Sequence, residues 1–339
     1  KENGNTIELA SNFIHPLKRP IREFGFKEHN VPFTRKVFSK GNFKAFKILK
    51  NVISTGKYDI VHCHTPNASV ITRLICRKYR KRGLKVYYTA HGFHFYKGAP
   101  KKNWVIYYVI EWICSFFTDV LITINKEDFN LASKKMKAKH VEYVPGIGIN
   151  LEKFQSSKNE SSKKIKTNAP NQLFLSVGEL NENKNHAIVI KALALIKNSN
   201  IHYAIAGEGD HYTLLKKLAE ELNLDNRVHL LGFRDDINEL MNASNVYIFP
   251  SYREGLSVSL MEAMASGLPC VISSIRGNTD LIDENGGVSF NPASVKECKD
   301  AIEKILVSDV ETMGKYNKRK VKNFTTNVVL DEMKRIYGL

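Results

Sequence analysis

Short runs of β-branched and aromatic residues recur along this 339-residue chain, with helix-period stretches between them. That alternation constrains the fold more than any other feature. Strands are expected near 59–63, 85–90, 119–124 and 141–144, with helices near 67–81, 102–117 and 126–138. A second series places strands near 173–177, 202–206, 228–230, 246–249, 269–273 and 287–290, and a final helix near 327–337. Parallel strands need long crossovers, normally helices, so the rhythm predicts an α/β protein with two doubly wound parallel sheets. The Ser/Lys/Asn-rich stretch 153–172 reads as a linker. The expected domains are 1–150 and 173–322, joined by 151–172, with 323–339 as a closing helical segment.

The most informative chemistry lies in residues 250–271, P-S-Y-R-E-G-L-S-V-S-L-M-E-A-M-A-S-G-L-P-C-V. The preceding N-V-Y-I-F is a buried strand; Gly255 allows a tight turn, Ser257 is an N-cap, and the helix ends near Gly267. Glu254 therefore stands at the carboxyl end of a strand, the edge of an open α/β sheet where ligands bind. The first amides of a helix lack internal partners and attract anions, so Leu256, Ser257 and Val258 are placed to meet a diphosphate, with no Cβ at Gly255 to block it. Glu254 and Glu262 are eight residues apart, about 12 Å along a helix, too far to share a proton. They suit hydroxyls at opposite ends of a nucleotide-sugar, one on the sugar and one on the ribose.

With its surroundings, this segment resembles the E-x7-E signature of the family 4 retaining glycosyltransferases, and the resemblance covers nearly the whole chain. V-G-E-L-N-E-N-K-N at 177–185 resembles the loop opening the donor domain. A-G-E-G at 206–209 and L-G-F at 231–233 resemble its next two strand-end loops. H-C-H-T-P at 62–66 and T-A-H-G-F-H at 89–94 resemble acceptor-domain loops, and H-G-F-H-F-Y-K-G-A-P at 91–100 points to the capsule and exopolysaccharide branch. The resemblance implies the GT-B architecture, two Rossmann-like domains facing a cleft, with the last helix crossing back to the first domain. It implies a donor site of Gly178, Lys184, Gly207, Gly209, Gly232, Phe233, Glu254, Gly255, Leu256, Ser257 and Glu262. His91, at the end of the strand V-Y-Y-T-A, would face the donor sugar, and with Glu254 and Lys184 it completes the expected catalytic set. His62, His64 and His94 are weaker candidates; no carboxylate lies at ligand spacing from them, and no metal cofactor is expected.

Two departures from the family pattern matter. The family often carries an Arg just after the glycine at 178 and a Lys five positions later; here Glu179 holds the Arg slot while Lys184 matches the Lys. Glu179 is expected to orient Lys184 or a sugar hydroxyl, with Arg253 or Arg276 supplying the lost cation. The chain also opens as if at the end of the family's first helix, so the first strand of the amino-terminal sheet is expected to be missing. Asp235-Asp236 invites reading as a metal-binding Asp-x-Asp, but its adjacent spacing and helix-start position argue for capping.

Charge is uneven. Residues 1–150 hold 27 Lys/Arg against 10 Asp/Glu, the whole of the +17 net charge, whereas 151–339 are balanced. No nucleic-acid motif accompanies it, so the expected anionic partner is the cytoplasmic leaflet of a membrane. The aromatic stretch 104–117 is too short to span a bilayer and suits either an interfacial helix or an ordinary core helix. Five dispersed cysteines read as buried free thiols.

The resemblance thus implies a retaining, metal-independent transferase moving a hexose or N-acetylhexosamine from a UDP-sugar to a polyprenyl-diphosphate-linked glycan. It would act in the cytoplasm, peripherally on the inner face of a bacterial membrane. A GT-B nucleotide-sugar epimerase and a non-catalytic donor-binding subunit are the alternatives.

Overall fold

The computed structural model describes residues 4–13, 25–34, 39–155 and 172–339. Most of the expected linker and the opening Lys-Glu-Asn lie outside the described residues. The chain divides into two compact units, Lys1–Val144 with Lys334–Leu339, and Pro145–Met333.

In the first unit, strands β1 (Glu8–Ser11) and β2 (Lys27–Asn30) pair in parallel as a small separate sheet. Strands β3 (Ile60–Cys63), β4 (Lys85–Ala90), β5 (Val120–Thr123) and β6 (His140–Tyr143) form a parallel sheet in simple sequence order. Strand β5 is buried throughout, which explains its unbroken apolar run. Ala10 of β1 and Val61 of β3 pack into one apolar cluster, although β1 and β3 share no ladder among the described residues. The helix Lys40–Thr55 covers this cluster with Ala45, Leu49 and Ile53 and sends its lysines to solvent. Its start is fixed by Ser39, whose hydroxyl accepts from the Asn42 amide.

Two expected helices of this unit are segmented. The first is Pro66–Cys76 followed by a 3-10 turn at Tyr79–Arg82; the second runs from Lys101 to Ser115 with a π-helical turn at Trp104–Tyr108. The extra residue of that turn rotates the following face relative to the preceding one. At the chain's end the helix Thr326–Tyr337 begins in the second unit and finishes in the first, where Arg335 pairs with Glu142 at 2.7 Å.

The second unit holds β7 (Gln172–Val177), β8 (Ile201–Ala206), β9 (Val228–Gly232), β10 (Val246–Phe249), β11 (Cys270–Ser273) and β12 (Gly287–Phe290). All are parallel, in the order β12-β11-β10-β7-β8-β9. The first strand of the series, β7, sits at the centre, and the order reverses between β7 and β10. Diverging crossovers leave a crevice at the carboxyl ends of these two strands. Both are lined with buried residues, and two helices packed on each other, His186–Ala194 and Val295–Leu306, bury Ile188, Val189, Leu193, Ile302 and Ile305 against the sheet. All five cysteines are buried free thiols.

Candidate active site

The loops leaving β7 and β10 meet at the switch point. Asparagines tie them together. Asn183 donates its side-chain amide to the Arg253 carbonyl at 3.0 Å and accepts from the Tyr252 amide at 2.8 Å through its own carbonyl. Asn185, in a left-handed conformation at φ 54°, donates to the carbonyls of Pro250 at 3.2 Å and Pro292 at 2.9 Å. Between these two clamps Lys184 is carried to Glu254. Its ammonium donates to Glu254 Oε1 at 2.8 Å and lies 4.8 Å from the centre of the Phe249 ring.

Glycines make room for this arrangement. A Cβ at Gly207 would sit 1.8 Å from the Gly178 carbonyl oxygen, and one at Gly209 would sit 2.3 Å from that of Leu180. The loops after β7 and β8 therefore touch backbone to backbone, and Gly207 donates in turn to the Gly232 carbonyl at 2.8 Å. Gly178 forms a shelf beneath the Lys184 stem, its Cβ position 3.2 Å from Lys184 Cε. Phe233, beyond β9, is largely exposed.

The helix Val258–Ser266 starts where expected: Ser257 caps it by accepting from the Leu260 amide at 3.3 Å, and Gly267 ends it at φ 79°. Leu256 is buried and anchors the turn, and the first amides of the helix have no acceptor in a preceding turn. Glu262, one turn in, is half-buried, and burial pushes its carboxyl above the ordinary range, with Lys153 opposing the shift. Among the described residues its carboxylate forms no hydrogen bond. Arg276, buried, donates to the Glu254 carbonyl at 3.3 Å. This substitute cation therefore braces the loop that carries Glu254.

Two sequence expectations need correction. Glu179 does not orient Lys184: its carboxylate accepts from Asn181 at 2.9 Å, while Lys184 is held by Glu254. The Glu179 side chain is engaged within its own loop, and the Asn clamps bring a different carboxylate to the lysine. Asp236 does stand at the N-cap of the helix Ile237–Ala243 but makes no side-chain capping bond; the Arg234 guanidinium engages it instead.

His91 belongs to the first unit, where its Nε2 lies 3.2 Å from His64 Nδ1. His62 stacks on His64 at 4.3 Å and reaches Thr89 Oγ1 at 2.8 Å through Nε2 and the Tyr337 hydroxyl through Nδ1. Burial, then the neighbouring His64 and His91, hold His62 down to about 3; burial also lowers His64 and His91. The cluster is thus neutral at neutral pH. His94 instead stacks on Tyr107 at 4.7 Å. Among the described residues no group of three or more His, Cys, Asp or Glu is arranged to hold a metal.

A cation, the start of a helix and two carboxylates are thus gathered around a switch point. Comparison with known proteins fixes the class. Residues 157–323 match the family described as glycosyl transferases group 1, and residues 2–125 match glycosyl transferase 4-like proteins. The chain is 37% identical over 295 residues to the Bacillus subtilis (strain 168) glycosyltransferase EpsD, covering 84% of this chain and 76% of that one. It is 29% identical over 316 residues to the Escherichia coli UDP-Gal:alpha-D-GlcNAc-diphosphoundecaprenol alpha-1,3-galactosyltransferase, covering 87% and 81%. Anabaena HepE, solved with UDP-glucose, superposes with a TM-score of 0.76 at 18% identity, over 94% of this chain and 88% of that one. The fold is GT-B, with a parallel sheet in each of two α/β units. The chain belongs to the family 4 type of glycosyltransferases.

Proposed function

We propose that this glycosyltransferase moves a hexose or N-acetylhexosamine from a UDP-sugar to a polyprenyl-diphosphate-linked glycan, with retention of configuration, in capsule or exopolysaccharide synthesis. The observation that carries the reading is the Lys184–Glu254 pair at the switch point, beside the open amino terminus of the helix Val258–Ser266. The named activity of the Escherichia coli relative and the ligand of HepE support the choice of donor and acceptor class.

In this proposal the donor diphosphate displaces Glu254 from Lys184 and lies against the first-turn amides. Glu254 is released to the sugar hydroxyls and Glu262 takes the ribose. The acceptor hydroxyl attacks the anomeric carbon on the face the diphosphate leaves, its proton passing to a leaving phosphate oxygen. The protein aligns the reactants and stabilises charge on the departing UDP. Lys184 and the helix amides do this work, with no bound metal required. His91 takes part on the strength of the resemblance.

The basic half of the chain suits docking to the anionic inner leaflet; among the described residues no helix is long and apolar enough to cross a membrane. The test is incubation with UDP-galactose, UDP-glucose or UDP-GlcNAc and vesicles carrying prenyl-diphosphate-linked GlcNAc, in excess EDTA. A lengthened glycolipid is expected with one of these donors. Epimerisation of UDP-GlcNAc without acceptor, tight UDP binding without turnover, or turnover restored only by manganese would each contradict the proposal.

A further inference from the structure

The first unit contains an apolar pocket distinct from the donor crevice. Its walls are Val70 and Ile71 on one side and Tyr107 and Ile110 on the other, with Phe93 and Phe95 stacked at 4.7 Å. The polar groups at its floor are already satisfied: Glu111 is paired at 2.9 Å with the fully buried Arg73, whose guanidinium lies 4.2 Å from the Tyr88 ring centre. A buried ion pair this closed offers little to a polar ligand, so the pocket selects hydrocarbon.

The surface around it is unusual in a second, independent way. On the same helical segment, Val105 is 70% exposed, Ile106 53%, Val109 44%, Ile113 45% and Phe116 47%. On the helix Lys40–Thr55, Phe43 is 71% exposed. This helix, the helix Pro66–Cys76 and the helix Val109–Ser115 pack side by side. Exposed Lys40, Lys44, Lys47, Lys101 and Lys102 stand on these elements. Exposed apolar side chains interspersed with lysines on packed helices suit a bilayer with anionic headgroups rather than water.

Resting on the proposal that the acceptor is prenyl-linked, we infer that this pocket takes the first isoprene units of the acceptor's carrier, while the rest of the chain stays in the bilayer beneath Val105–Phe116. The lysines of these helices meet the carrier's diphosphate. The sugar end is left outside the pocket, in water, free to react.

The chain's two tryptophans, Trp104 and Trp112, both lie on this segment, so their emission reports occupancy directly. The experiment titrates the full chain with geranyl, farnesyl and geranylgeranyl diphosphate below their critical micelle concentrations, and with inorganic diphosphate. Affinity should rise at least tenfold from inorganic diphosphate to farnesyl diphosphate and level off at longer chains, since each buried methylene is worth about fourfold until the pocket is full. Val70→Phe, which fills the pocket, should abolish the chain-length dependence while UDP affinity stays unchanged. Affinity independent of chain length in the wild type, which needs no variant to fold, would overturn the inference. So would chain-length dependence preserved in Val70→Phe, or a stable dimer whose apolar face farnesyl diphosphate does not reach.

The inference and the transferase reading fail separately. Equal transfer to a farnesyl-diphosphate-linked sugar and to its methyl-diphosphate counterpart removes the tail pocket and leaves the transferase. Farnesyl binding as described, with no transfer to any acceptor, removes the acceptor assignment and leaves the pocket.

Discussion

Lys184 Nζ stands 2.8 Å from Glu254 Oε1, although the two residues are 70 positions apart, because each follows one of the two strands where the sheet order reverses. Both side chains are mostly shielded, with 19% and 15% of their surface exposed. In the proposed cycle this pair is the resting state, and donor binding breaks it. Glu254→Gln should therefore leave UDP affinity unchanged or slightly higher, because a competitor for Lys184 is lost. The same change should lower kcat about 100-fold, by removing the grip on the sugar. Lys184→Ala should lower both, with turnover down by roughly 100- to 1,000-fold, the usual cost of losing one donor aimed at developing charge. Calorimetry with UDP beside steady-state rates separates the two patterns; equal loss of UDP affinity in both variants would contradict the roles assigned.

Glu262 tests the other end of the donor. A hydrogen bond to a charged partner is worth about 1.5–3 kcal/mol, so Glu262→Ala should weaken UDP binding roughly 10- to 150-fold. The wild-type affinity should also fall as pH drops through the raised pKa of this carboxyl, because only the ionised form accepts from both ribose hydroxyls. In Glu262→Ala that pH dependence should vanish. An unchanged UDP affinity in the variant would place the ribose elsewhere.

Much of this site is legible in the sequence, for an identifiable reason. The strand–loop–helix at 246–267 carries its own local signals: a β-branched run, a Ser cap and a terminal Gly, each decided by neighbours in the chain. The partner of Lys184 is not of that kind. It depends on Asn183 and Asn185, side chains that read locally as loop polarity and whose acceptors, the carbonyls of Arg253, Pro250 and Pro292, are remote in sequence. The same limit hid that Lys184 is held by Glu254 and not by Glu179, and that Arg234 engages the carboxylate of Asp236. The π-helical turn at Trp104–Tyr108 was likewise hidden, since its sequence keeps an ordinary helical composition. The embedded ion pair Arg73–Glu111 was missed because charged residues in a helix read as solvent-facing until packing is known.

Acid sensitivity should come from neutral histidines before carboxylates. His62 and His186 are both held down to about 3, burial being the largest cause in each. A depressed histidine stabilises the fold above its unfolded pKa of about 6.5 and loses that contribution as pH falls toward the folded value. Each should add a slope of up to about 1.4 kcal/mol per pH unit in that window. Asp119 acts lower: burial alone would raise it, but Arg80, the Val86 amide and Lys139 outweigh burial and hold it to about 2. Its contribution is lost between the ordinary carboxylate range and pH 2. Urea unfolding at a series of pH values should show stability declining below pH 6.5, with a shallower slope in His62→Gln. A stability flat from pH 7 to 5 would contradict this.

Membrane docking should depend on salt. Basic residues near an anionic surface contribute about 1 kcal/mol each and are screened over a Debye length of about 8 Å at physiological ionic strength. The protein should sediment with vesicles containing phosphatidylglycerol and not with neutral ones, losing much of this binding between low and moderate salt. Charge reversal at Arg77, Lys78 and Lys81, all on or beside the 3-10 turn Tyr79–Arg82, should weaken sedimentation and spare UDP affinity. Equal binding to neutral vesicles, or tighter binding to RNA, would contradict the assignment of the charge.

The central claim is transfer with retention from a UDP-sugar to a prenyl-linked sugar, and the anomeric proton of the product reads it directly. With the accepted α-linked UDP-sugar and prenyl-diphosphate-linked GlcNAc, proton NMR of the isolated product should show a new sugar in the α configuration, formed in step with released UDP. A β-linked product, or UDP release with no new glycosidic bond, would contradict the account.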